Sequence, residues 1–195
     1  MENFEFRLEP RDEQPVPRGF TGDIGPFGPV LVTRPRSESG HTPSRQVLLS
    51  GPSFPAAEFG GGAGILPSLN GGWLKIEDTP VEMDLRGKGV RKGSRWLELR
   101  FGERHYKYTS FGYMRQARLT RDEVTVTLDT PDWKKGEGGP VRYGKVEGEA
   151  DATDLAIALV LEEVDKYALT ATGALMSIPS RVLFGRGNRD EGSLE

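Results

Sequence analysis

The sequence predicts a mainly β domain of α+β character: an antiparallel β-barrel or strongly curved sheet enclosing one hydrophobic helix near its C-terminal end. Three observations predict it. Leu155 to Leu161 reads Leu-Ala-Ile-Ala-Leu-Val-Leu, without a polar side-chain atom. A helix here is apolar on every side, and such a helix has to be enclosed rather than laid on a surface. Its seven apolar residues fall far short of the ~20 that span a bilayer, and Asp151, Asp154, Glu162 and Glu163 flank it, so it belongs inside protein. The residues ahead of it alternate apolar with polar in short runs, as half-buried strands do. Finally, 26 Gly and 14 Pro are many for a helical bundle and too few for disorder throughout.

A chain of 195 residues suits one domain with a sizeable core, and 35% hydrophobic with 28% charged residues suits a globular protein with much loop. The absence of cysteine excludes disulfides, thiolate metal sites and cysteine nucleophiles. Met1 to Pro10 carries acids among its aromatics and lacks the basic start and apolar core of a signal peptide, so the expectation is a cytoplasmic protein.

Taken in order, residues 1–29 are punctuated by five prolines and four glycines and read as an extended arm, with Phe4 to Leu8 as a short strand within it. The single β-rich domain is expected over residues 30–185. Val30 to Val32 and Gln46 to Leu49 are short apolar strands around a polar loop that holds His41. Gly51 to Gly72 reads as a flexible loop. Its Gly60-Gly61-Gly62-Ala63-Gly64 lacks the Gly-Lys-Ser/Thr that a phosphate loop needs, since Ile65-Leu66-Pro67 follows.

Trp73 to Glu77 and Val81 to Leu85 alternate around an Asp78-Thr79-Pro80 turn. After a glycine- and lysine-rich linker at 87–93, Leu97, Leu99 and Phe101 face one way and Trp96, Glu98 and Arg100 the other. The inward parity then passes to Tyr106 and Tyr108 across a hairpin turn. Ala117 to Thr120 and the β-branched Val124 to Leu128 form another hairpin, and Val141 to Val146 one more strand. The helix is expected near 152–168, capped by Asp151, with Asp154 at the positive end of its dipole. Ile178 to Phe184 reads as a closing strand and 186–195 as a polar tail.

This order of elements resembles the tubby-like and LURP-one-related barrel family. The residues that carry the resemblance are Tyr106 to Leu128, where a Tyr-rich strand leads into Ala-Arg-Leu-Thr-Arg-Asp-Glu-Val-Thr-Val, and Gly148-Glu149-Ala150-Asp151 leading into Leu155 to Val164. It covers about residues 30–170 and is one of pattern. The resemblance implies a closed twelve-stranded barrel threaded by the helix. It also implies a binding role, because tubby domains hold phosphoinositide head groups and related scramblases act at membranes. No residue of the family's phosphoinositide site matches here, so no site is carried over.

Catalytic constellations are missing. His41 and His105 have no carboxylate at ligand or triad spacing, no Gly-x-Ser-x-Gly occurs, and Asp122-Glu123 and Glu162-Glu163 fall at a turn and a helix end. The expectation is therefore no enzyme, no metal and no cofactor. Charge distribution is the informative feature. Arg86 to Arg121 holds eleven Lys or Arg against two acids, whereas 122–170 holds five against twelve. A basic site of Arg86, Lys88, Arg91, Lys92, Arg100 and Lys107 beside Trp96 is expected to bind an anionic lipid head group or membrane surface, making the protein membrane-peripheral. The competing explanation is that these cations neutralise the acidic segment. A structural or protein-interaction subunit, self-assembling or docking through the arm and the 51–72 loop, is the alternative function. A sequence pI of about 5.6 and the lack of any nucleic-acid fold signature argue against nucleic acid.

Overall fold

Alternation places every second side chain of a strand on the same face, and in this chain twelve strands, most of them alternating, close around the one segment that is apolar throughout. The computed structural model describes residues 3–11, 19–35, 45–62, 67–87, 95–111, 115–131 and 140–170. The strands are β1 (Phe4–Pro10), β2 (Gly19–Asp23), β3 (Pro29–Thr33), β4 (Gln46–Ser50), β5 (Ala57–Gly61) and β6 (Gly72–Ile76). They continue as β7 (Thr79–Gly87), β8 (Arg95–Phe101), β9 (Arg104–Phe111), β10 (Gln116–Arg121), β11 (Val124–Asp129) and β12 (Arg142–Glu147). Each pairs antiparallel with its neighbours in sequence, and β1 closes the barrel against β12, from Phe4 opposite Val146 to Leu8 opposite Arg142. Closure leaves no edge strand to be covered.

The helix α1 (Ala152–Glu162) threads this barrel, packing on β4, β5, β10 and β11, and Leu155 to Leu161 are all buried. Eight strands are filled by their own side chains; twelve leave room for a helix about 10–12 Å across. Helix and wall also match in length. Eleven residues of helix rise about 16 Å, close to the ~17–20 Å of a five- or six-residue stave. That match explains why α1 stops at Glu162, short of the expected 168: the chain has reached the far mouth, where Glu163 caps the helix and, among the described residues, a short 3-10 turn, Tyr167–Leu169, follows.

Two further expectations are corrected. Residues 1–29 are not an arm, since β1 and β2 are staves of the barrel and β3 begins at Pro29. Among the described ones, Pro10, Gly19 and Pro29 fall at strand ends, Gly25 and Pro26 in the 3-10 turn at Gly25–Phe27, and Gly22 within β2. Residues 51–72 are not one loop, since β5 lies within them. Its Gly60 is flat wall under the indole of Trp73, where any Cβ would collide, so the glycine that hides the strand in sequence is what lets it pack. Phe6 lies over Gly144 in the same way. The turn before β7 falls one residue earlier than expected, at Glu77 and Asp78, both at positive φ (48° and 65°) as two-residue hairpins prefer. The 178–184 strand and the 186–195 tail lie outside the described residues.

Candidate functional site

Because the strands alternate in direction, their connections fall into two sets at opposite ends of the barrel. At one end are 24–28, 51–56, 77–78, 102–103, 122–123 and the 148–151 crossover into α1, each two to six residues long. At the other are 11–18, 34–45, 62–71, 88–94, 112–115 and 130–141, four to twelve residues long. Counted along the sequence, the connections of the first set, the turn end, hold seven acids and no Lys or Arg, and those of the second, the loop end, hold eleven Lys or Arg against five acids, most of them outside the described residues. Long connections on a rigid scaffold are where binding residues concentrate.

At the turn end, the capping box of α1 doubles as an ionic anchor. Asp151 accepts from the backbone of Thr153 and Asp154 at 2.9 and 3.0 Å, and the Asp154 carboxylate accepts from the Asp151 backbone at 3.0 Å. The fully buried Asp154 also takes both ends of the Arg121 fork at 3.0 and 2.8 Å and the Tyr106 hydroxyl at 3.0 Å. Arg104 reaches Asp151 at 2.6 Å. Two cations of the basic 86–121 segment are thus spent on the helix N-terminus, as the neutralisation reading required.

At the loop end, where α1 emerges, a second cluster is buried. Glu162 accepts from Lys166 at 2.7 Å and from the Thr130 hydroxyl at 3.0 Å, while Glu163 pairs with Arg142 at 2.8 Å and Arg34 at 3.1 Å. Tyr108 donates to the Leu161 carbonyl at 3.2 Å, satisfying one acceptor of the last helical turn. The chain beyond is clipped across the mouth. Asp165 pairs through its backbone with Pro67 and Leu69, and Arg95 donates to the Ala168 carbonyl at 3.1 Å. These acids are held by cations and a hydroxyl, which makes them fasteners of the helix exit. Among the described residues no group of three or more His, Asp or Glu is placed to hold a metal ion.

Burial raises both tyrosines. Tyr106 is pushed up to about 12, mainly by burial and further by Asp154, against the opposing hydrogen bond from Arg104. Tyr108 lies well above its usual range because of burial and then Glu162. Arg104 and Arg121 are raised too, the first chiefly by its hydrogen bond with Tyr106, the second by that with Asp154. A phenol whose folded pKa exceeds its unfolded value of about 10 contributes its full stability below pH 10 and loses it as pH rises toward 12. The expected result of an alkaline titration is that these two phenols ionise only together with unfolding. Tyrosinate absorbance and far-UV circular dichroism, followed in parallel, check it; two slow-ionising phenols appearing without loss of ellipticity would contradict the burial.

The expected basic site is divided. Arg86, Trp96, Arg100 and Lys107 lie on the outer wall of β7–β9, whereas Lys88, Arg91 and Lys92 fall in the 88–94 connection, outside the described residues. Arg86 is bound to Asp84 at 2.7 Å and Glu98 at 2.9 Å, and Lys107 lies 5.0 Å over the Trp96 ring. Arg100 faces a shallow groove shared with Glu82, Met83, Asp84, Arg86 and Glu98, in which acids outnumber cations. It stands six residues along β8 from the 88–94 connection, about 20 Å. On this part of the wall the charges therefore largely offset one another. Arg142, Lys166, Thr130 and Arg34, the partners of the exit acids, were not singled out in the sequence, because nothing local to them signals the helix end they meet.

No protein-family model, curated protein or solved structure matches the chain.

Proposed function

We propose that the protein is a non-enzymatic binding protein that meets an anionic lipid head group or membrane surface with the loop end of its barrel. The observation that carries this reading is a charge asymmetry along the sequence: eleven Lys or Arg against five acids in the loop-end connections, and seven acids in the turn-end connections, one of which, Asp151, is held by Arg104 from the adjoining strand end. The helix exit, with Glu162, Glu163 and Asp165 against Lys166, lowers the positive excess by two without cancelling it. Such a molecule is oriented by an anionic surface before it touches it. The resemblance to tubby-like barrels points the same way. Among the described residues no helix is long and apolar enough to cross a membrane, and the proposed contact is peripheral.

Co-sedimentation with phosphatidylcholine vesicles, with and without phosphatidylglycerol, at low and physiological salt, tests the proposal. Binding is expected only with the anionic lipid and is expected to weaken with salt. Lys88→Glu/Arg91→Glu/Lys92→Glu removes three cations worth about 1 kcal/mol each near such a surface, so it should weaken binding at least about a hundredfold. Arg100→Glu should leave it nearly unchanged, since ~20 Å exceeds the ~8 Å screening length at physiological salt. Absence of binding in every condition sinks this reading and favours the protein-interaction subunit, to be pursued by light scattering for self-assembly.

A further inference from the structure

The alternation that hides Leu74, Leu97 and Gly144 turns the residues before them outward, and near the loop end those residues are aromatic. Trp73, Trp96 and Tyr143 are the second residues of β6, β8 and β12, and Phe111 is the last of β9; all four strand ends lie at the loop end. Trp73, Phe111 and Tyr143 are 39%, 36% and 46% exposed. Each of the four carries a cation against its ring: Lys75 at 5.2 Å from Trp73, Lys107 at 5.0 Å from Trp96, Arg118 at 5.3 Å from Phe111 and Arg7 at 6.0 Å from Tyr143. The described turn-end aromatics behave differently. Phe4, Phe27, Phe54 and Phe101 are buried or packed against the core.

We propose that these four cation-paired aromatics form an interfacial belt that seats the loop end on an anionic bilayer surface, with the acidic turn end directed away. The inference rests on the binding function proposed above and names the residues that complete the contact. Indole and phenol rings favour the head-group level of a bilayer, and a Lys or Arg beside each ring presents charge to the lipid phosphates at that same level. The belt runs from β6 to β12, half of the circumference. A flat surface facing the mouth meets all four rings at once, whereas a protein docked on one side of the wall meets one or two. The contact is with the surface and not a span. A spanning barrel shows lipid an apolar band about 25 Å tall, while Glu82, Asp84, Glu98, Lys145 and Glu147 line this outer wall.

Intrinsic fluorescence reads the belt directly, because Trp73 and Trp96 belong to it, and a Trp133→Phe background removes the third tryptophan, which lies outside the described residues. With vesicles containing phosphatidylglycerol, the emission of the full chain is expected to shift to the blue and to be quenched by brominated phosphatidylcholine. Phe111→Ser/Tyr143→Ser, with its melting curve checked against wild type, is expected to keep the salt dependence but to lower the partition coefficient about tenfold, equivalent to about 1.4 kcal/mol. Leu48→Ser, at a mid-wall site that is 38% exposed, should change nothing. If wild type sediments in a salt-sensitive manner yet its emission neither shifts nor quenches and the double variant partitions like wild type, the belt is wrong and the charge reading stands. If wild type fails to sediment even at low salt, both fall.

Discussion

Leu159→Asp is expected to leave the chain unfolded at room temperature. Leu159 is fully buried in the middle of α1, with barrel wall on every side. Truncating it to alanine would cost about 2–5 kcal/mol through lost contacts and an unfilled cavity. Aspartate adds a carboxylate with no cation within reach, since Arg104 and Arg121 serve the first helical turn and Arg142 and Lys166 the last. The combined cost exceeds about 5 kcal/mol, comparable to the whole stability of many domains. Leu48→Asp is the matched control. The same change at an exposed wall position should alter stability by no more than about 0.5 kcal/mol. Circular dichroism and thermal melting of the two variants check this, and a native melt for Leu159→Asp would mean that α1 is not enclosed.

The helix was legible in the sequence because its signal is categorical: seven apolar side chains in a row admit no exposed face. The strands from β6 to β12 were legible for a related reason, since Val124, Val126 and Leu128 point inward while Thr125 and Thr127 point outward. β2 and β5 were not, because there glycine replaces the alternation. Gly60 is flat so that Trp73 can lie on it, and the residue on which Trp73 rests is thirteen positions away in sequence, with β5 and β6 paired only in three dimensions. The strand at Phe4 to Leu8 was legible as β1, but its place as a stave was not, since it gains its partner β12 from the far end of the chain.

The candidate site was legible in composition but not in place. A cationic 86–121 segment can be counted, yet only topology divides it. Arg104 and Arg121 turn inward to Asp151 and Asp154, Arg86 is held by Asp84 and Glu98, and Lys88, Arg91 and Lys92 belong to the β7–β8 connection, outside the described residues. The connections of the two ends interleave along the chain, so no single stretch of sequence collects the connections of one end. The outward aromatics carried a faint signal: Trp73 is out of phase with Leu74 and Ile76, and Tyr143 with Val146.

Asp154→Ala is expected to cost about 3–5 kcal/mol, because it leaves the Arg121 guanidinium and the Tyr106 hydroxyl without the carboxylate that both face. The more informative variant removes both charges. Replacing a buried pair by apolar residues of similar size is often neutral or stabilising, so Asp154→Leu/Arg121→Met should recover most of that loss. Urea unfolding of the two single variants and the double variant gives the coupling, expected at about 1–3 kcal/mol for partners this close. Additive losses would show that the pair acts independently, and that Asp154 matters only as part of the helix cap. Strong coupling has a structural meaning beyond stability. Arg104 stands at the start of β9 and Arg121 at the end of β10, so together they grip one side of the first turn of α1 and fix its rotation in a largely apolar bore. The Tyr106 hydroxyl, which also donates to Asp154, adds a third polar reference at that end. Rotation set there determines where Glu162 and Glu163 emerge, and so whether Arg142 and Arg34 can hold the exit beneath the loop end.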